Sequence, residues 1–230
     1  MAAAARERVE PPAARSGPRA GARRGARAVP EGAPAPDGRR VRSARTRQAV
    51  VEALLALLDA GELRPGAARI AERAGVSLRT VFEHFDDLES LFAAAAERQI
   101  ERVRGLLEPP LRSGPRGERL RAFVARRARL LERISPVRRA ALLYAPFSPE
   151  IRRRLRWVSG LLRDEVERVF ASELARRQGL ERGELLHALE VAADWSTWEA
   201  LRAGRGLPAA RARGVVERLL RGALAERISL

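Results

Sequence analysis

Arg79, Thr80, Glu83 and His84 crowd into one short stretch of the segment from 67 to 85, AARIAERAGVSLRTVFEHF, and their groups suit reading a polymer more than making or breaking bonds. An arginine guanidinium matches the O6 and N7 edge of guanine, a threonine offers a phosphate contact or a methyl for thymine, and a glutamate accepts from the amino group of cytosine. His84 suits a phosphate, and Leu78 suits a thymine methyl or the side of a neighbouring helix. Bond-making chemistry has little to work with. The chain has no cysteine, no glycine-rich phosphate loop and no nucleophile set beside a base. Its two histidines, His84 and His187, share no metal-ligand spacing, so no metal, no cofactor and no enzymatic activity are expected.

These side chains need a rigid helix to present them, and the flanking pattern supplies one. Ile70 and Ala74 stand four apart on one helix face, with Ala71 offering a small surface for close approach of a second helix. Gly75 then ends that helix, since glycine tolerates positive φ, and Val76 can fill the angle beyond it. Ser77 is the natural N-cap of the next helix. That helix buries Val81 and Phe85 and turns Arg79, Thr80, Glu83 and His84 outward. A preceding helix, from about Ser43 to Ala60 with Ser43 or Thr46 near its start, carries Val50, Leu54, Leu57 and Leu58 and should cover the back of the pair. The result is a three-helix domain with a helix-turn-helix at about 66 to 85, suited to a DNA major groove.

The segment resembles the TetR family of transcriptional repressors through Ile70, Ala71, Ala74, Gly75, Val76, Ser77, Thr80, Val81, Phe82, His84, Phe85 and Leu91. The resemblance implies an all-α fold, a helical second domain that dimerises and binds a small effector, and double-stranded operator DNA as partner. It places Ser77, Leu78, Arg79, Thr80, Phe82, Glu83 and His84 at the DNA. Two positions depart from the family pattern. Phe82 stands where a tyrosine is usual and Leu88 where a lysine is usual, and both customary residues reach phosphates. Arg45, Arg47 and Arg79, with backbone N–H groups at helix starts, are the expected substitutes.

The net charge of +16 points toward nucleic acid, but it is unevenly spread. Residues 1–42 hold ten arginines against four acidic residues, residues 43–105 hold nine against ten, and residues 106–230 hold 26 against 15. The reading domain, 43–105 with its connector helix, is therefore not itself basic. The leading arm, 1–42, is rich in Ala, Arg, Gly and Pro and is expected to be disordered, with Arg39, Arg40 and Arg42 nearest the DNA. A protein that bound DNA without regard to sequence, mainly through this arm, is the alternative reading. No run has the length of a membrane span and no signal-peptide core follows Met1, so a cytoplasmic, nucleoid-associated location without membrane contact is expected.

From 106 to 230 the pattern is helical throughout. Helices are expected over 117–134, from Ser135–Pro136 to Tyr144, and from Ser148–Pro149 onward with Ile151, Leu155, Val158, Leu162, Val166, Val169 and Phe170 on one face. Two more, at about 183–203 and 208–226, should form an antiparallel pair and carry the homodimer contact, with Val215, Val216, Leu219, Leu220, Ala223 and Leu224 as the apolar face. An effector pocket would draw on large rings and a polar neighbour: Phe123, Tyr144, Phe147, Trp157, Asp194, Trp195 and Trp198 are the candidates. Asp194 and Trp198 stand four apart and could line one cleft, and the arginine excess suits an anionic ligand.

Overall fold

The computed structural model describes residues 38–107 and 114–225, and every regular element among them is helical. Residues 1–37 of the expected arm lie outside the described residues. The elements are α1 (Gly38–Asp59), α2 (Ala67–Ala74), α3 (Leu78–His84), α4 (Leu88–Leu107), α5 (Arg116–Tyr144), α6 (Pro149–Val169), α7 (Ala171–Leu174), α8 (Gly179–Ala192), α9 (Trp195–Glu199) and α10 (Ala209–Ala225). A single π-helical turn, Ala200–Gly204, prolongs α9.

Helix α1 begins at Gly38, ahead of the expected Ser43, so Arg39, Arg40 and Arg42 belong to its first turns. Thr46 is accordingly not a cap. Its hydroxyl donates back to the Arg42 carbonyl at 3.1 Å, a bond available only inside a helix. Further along, Val50, Val51, Leu54, Leu55, Leu57 and Leu58 are buried and form the floor on which α2, α3 and α4 pack. Gly75 closes α2 in the left-handed region at φ 67°, with Gly75 N–H donating to Glu72 and Val76 N–H to Ala71. This double bond pattern is the Schellman closure, and the accompanying apolar contact is Val76 in the same cluster as Ala71. Ser77 accepts from the Thr80 N–H at 3.0 Å and so fixes where α3 starts. Asp87 does the same for α4, accepting from Ser90 N–H at 2.7 Å.

Two apolar clusters hold these helices. One unites α1, α2, α3 and the first half of α4 with Ala140, and the other unites Val103 with α5, α6 and the C-terminal helices. Helices α4 and α5 contribute to both, which makes them the mechanical link between the clusters.

Helix α5 runs unbroken through Pro136, where two helices separated at Ser135–Pro136 were expected. A proline inside a helix removes one backbone donor and usually breaks or bends it. Here Leu130, Leu131 and Ala140 are buried on either side, and the Ser135 hydroxyl donates to the Leu131 carbonyl at 2.7 Å while accepting from the Trp195 indole at 3.0 Å. Packing on both flanks therefore outweighs the local preference of proline. The opposite outcome holds near the C-terminus. The helix expected over 183–203 is divided, because Asp194 is extended and its carboxylate accepts from Ser196 N–H at 2.9 Å, starting α9 afresh. The Ala193 carbonyl freed at this break accepts from Arg127.

Candidate nucleic-acid interface

Helix α3 presents its side chains as the apolar spacing requires. Val81 and Phe85 are buried against α1 and α2, while Leu78, Arg79, Phe82 and Glu83 are exposed. The Arg79 side chain is 88 % exposed, and its Nε donates to Glu83 Oε1 at 2.9 Å, one turn on. An exposed pair at this spacing is worth only a few tenths of a kcal/mol, about 0.3–0.5, so it aligns the guanidinium without committing it. Thr80 is half-buried, and its hydroxyl lies 2.8 Å from the Ser77 hydroxyl, so part of its polar capacity serves the cap. His84 is also half-buried at the last turn.

The arginines around this helix divide by what they already touch. Arg47, on α1, lays its guanidinium over the Phe85 ring at 4.7 Å and remains exposed at the edge of α3. Arg45 is exposed on the same helix. Arg69 is held by Glu62 and Glu72, and Arg64 lies over the Tyr144 ring at 5.8 Å, so both are engaged elsewhere. Phe82 is 50 % exposed, an apolar ring left facing solvent beside Arg79 and Glu83. Leu88 packs part-buried against the head's core instead of reaching outward.

Sequence reasoning missed the brace that fixes this head to α4. Glu52 of α1 accepts from Arg98 at 2.7 Å and from Arg102, and Arg102 lies near Asp59. Burial works to raise the Glu52 carboxyl, but the hydrogen bonds and charge of the two arginines outweigh it and hold the group below its ordinary value. The partners are far apart in sequence, and no local pattern announces them.

The fold is that of the TetR regulators. A transcriptional regulator from Rhodococcus sp. Rha1 superposes with a TM-score of 0.61 at 19% identity, over 77% of this chain and 95% of that one. A TetR-family transcriptional regulator from Streptomyces coelicolor gives 0.61 at 21% identity, over 79% and 82%. A Mesorhizobium loti chain described as a TetR-family transcriptional regulator gives 0.55 at 21% identity, over 80% and 97%. No protein-family model matches the chain. No curated protein matches it either.

A cleft of about 100 Å³ lies between α4, α5 and α6, where the two clusters meet. Its walls are apolar, with Phe92, Ala96 and Ile100 from α4, Ile134 and Val137 from α5, and Leu155 among those from α6. Of the seven pocket candidates only Trp157 lines it. Phe123 is fully buried edge-on to Phe170, and Trp195 and Trp198 are core residues whose indoles donate to Ser135 and Glu132. Tyr144 packs on Phe92 with ring centroids 4.7 Å apart, and Phe147 is 83 % exposed in the α5–α6 turn. Asp194 caps α9 and borders a separate surface hollow with Arg127 and Ser159. The seven candidates are thus not gathered around this cleft, which is lined mainly by aliphatic residues of α4, α5 and α6. Alanines and leucines at helical spacing carry no mark that separates a cleft wall from a core.

Proposed function

We propose that the chain is a sequence-specific, DNA-binding transcriptional regulator that acts as a homodimer and whose affinity is set by a small effector. The observation that carries this reading is α3 itself. It is a capped helix fixed along one face by buried Val81 and Phe85, with Arg79, Phe82 and Glu83 facing outward at a glycine-closed angle from α2. Such a helix enters a major groove with its first residues at the base edges, while Arg45, Arg47 and the Ser77 end reach phosphates. The regulators of similar fold support the same role.

Dimerisation is supported by the surface of α8 and α10. Val191 and Leu219 are exposed, and with Leu185, Ala188 and Gly222 they border a shallow hollow between the two helices. A two-fold pairing of these faces sets two α3 helices against the half-sites of a pseudo-palindrome. The effector occupies the cleft between α4, α5 and α6. Polar contacts tie α6 to α4 at its edges: Ser148 donates to Glu89, and Arg154 pairs with Glu97 at 2.8 Å. A ligand that widens the cleft strains these ties, shifts α4, and through the Glu52 brace moves the reading head, so that the two half-sites are no longer engaged together. The regulator is accordingly a repressor that its ligand releases.

Selection of the full chain against a random duplex library at fixed salt tests the reading. Recovery of a two-fold symmetric motif, still recovered by a chain lacking residues 1–37, is the expected result. Equal affinity for all sequences, lost with those residues, would instead favour the architectural alternative.

A further inference from the structure

Three polar residues reach the wall of the α4–α5–α6 cleft, and their polar ends are turned elsewhere. Gln99 donates to the Arg133 carbonyl at 2.6 Å, and Arg154 is held by Glu97 and Glu150. Arg138 differs from both. Its guanidinium lies over the Trp195 ring at 5.2 Å, and its Nε is buried with no hydrogen-bond partner. Asp194 is the acid whose charge it feels, but that carboxylate is committed to the start of α9. Burial consequently pulls the Arg138 guanidinium below the ordinary arginine value. A half-buried cation with an unpaired Nε is costly, and a carboxylate meeting a guanidinium through two parallel bonds offsets that cost better than any neutral group.

We propose that the cleft takes an amphipathic carboxylic acid, its apolar body lying along α4 and α6 and its carboxylate at Arg138. The aliphatic stem of Arg138 already forms part of the wall. On binding, the guanidinium leaves the indole of Trp195 and turns into the cleft, exchanging a cation–π contact for a charge-assisted pair. The apolar residues around it exclude water and strengthen that pair. The inference rests on the cleft being the effector site, and it adds the class of the effector.

Calorimetry of the full chain with decanoate and 1-decanol, below their aggregation limits, tests it. Decanoate is expected to bind about tenfold more tightly than 1-decanol, the factor that one charge-assisted contact supplies. Arg138→Gln should bring the two ligands to equal affinity, and Arg138→Lys should keep part of the preference. Equal or tighter binding of 1-decanol by the unmodified protein overturns the carboxylate assignment even if the variants do not fold. Retention of the carboxylate preference in folded Arg138→Gln overturns it as well. Binding of both ligands without preference leaves the cleft as effector site, whereas absence of binding by both, with no change in tryptophan fluorescence, removes that reading too.

Discussion

At the scale of single residues, the reading head depends on two positions whose roles are conformational. Gly75 sits at φ 67°, where a side chain is strained, although nothing within 4 Å would obstruct a Cβ. Gly75→Ala should therefore destabilise through the backbone alone, by about 1 kcal/mol. Ser77→Ala removes the acceptor for the Thr80 N–H and should also cost about 1 kcal/mol, read as a lower denaturation midpoint with an unchanged slope. Both roles were legible in the sequence, because a glycine between two apolar repeats and a serine before the second leave few alternatives. Phe82 offers a gain instead of a loss. Its ring is half exposed at the face of α3, so Phe82→Tyr adds a hydroxyl where a phosphate would lie. It should raise affinity for DNA by about 0.5–1.5 kcal/mol for all sequences alike, measured by anisotropy titration on matched and scrambled duplexes.

At the scale of elements, burial decided what local signals left open. Pro136 reads as a helix start, yet α5 passes through it because both flanks are packed. Asp194 reads as a polar residue within a helix, yet it is the cap at which α8 gives way to α9. The buried centre joining α5 to α6 had no sequence signature. Arg126 and Arg127 share Glu165, and all three are under 10 % exposed. Arg127 also donates to the carbonyls of Leu162 and Ala193, so one guanidinium ties α5, α6 and the α8–α9 junction together. Glu165→Ala leaves two buried cations without their carboxylate and should cost about 3–5 kcal/mol, seen in chemical denaturation. Glu165→Gln keeps an acceptor but not the charge and should fall between. The cleft wall was equally invisible, since its residues are ordinary helix-face aliphatics until α4 and α6 are seen to stand apart.

At the scale of the whole molecule, the proposed role makes the charge distribution and the symmetry of a dimer decide how DNA would be held. The segment 43–105 carries no net positive charge, so in the proposed role affinity would rest on the placement of Arg45, Arg47 and Arg79 and on two heads acting together. Leu219→Glu places a charge on the exposed face of α10 and should yield monomers by light scattering, with operator affinity reduced by about 100-fold or more. The most direct test of the central claim, that α3 reads bases, compares library selections by the full chain and by Arg79→Ala under one salt condition. Loss of preference at one base position in each half-site, at a cost of about 1–3 kcal/mol there, is the result expected of a base-reading arginine. Uniform weakening at every position, or no preference in the unmodified chain, would contradict it.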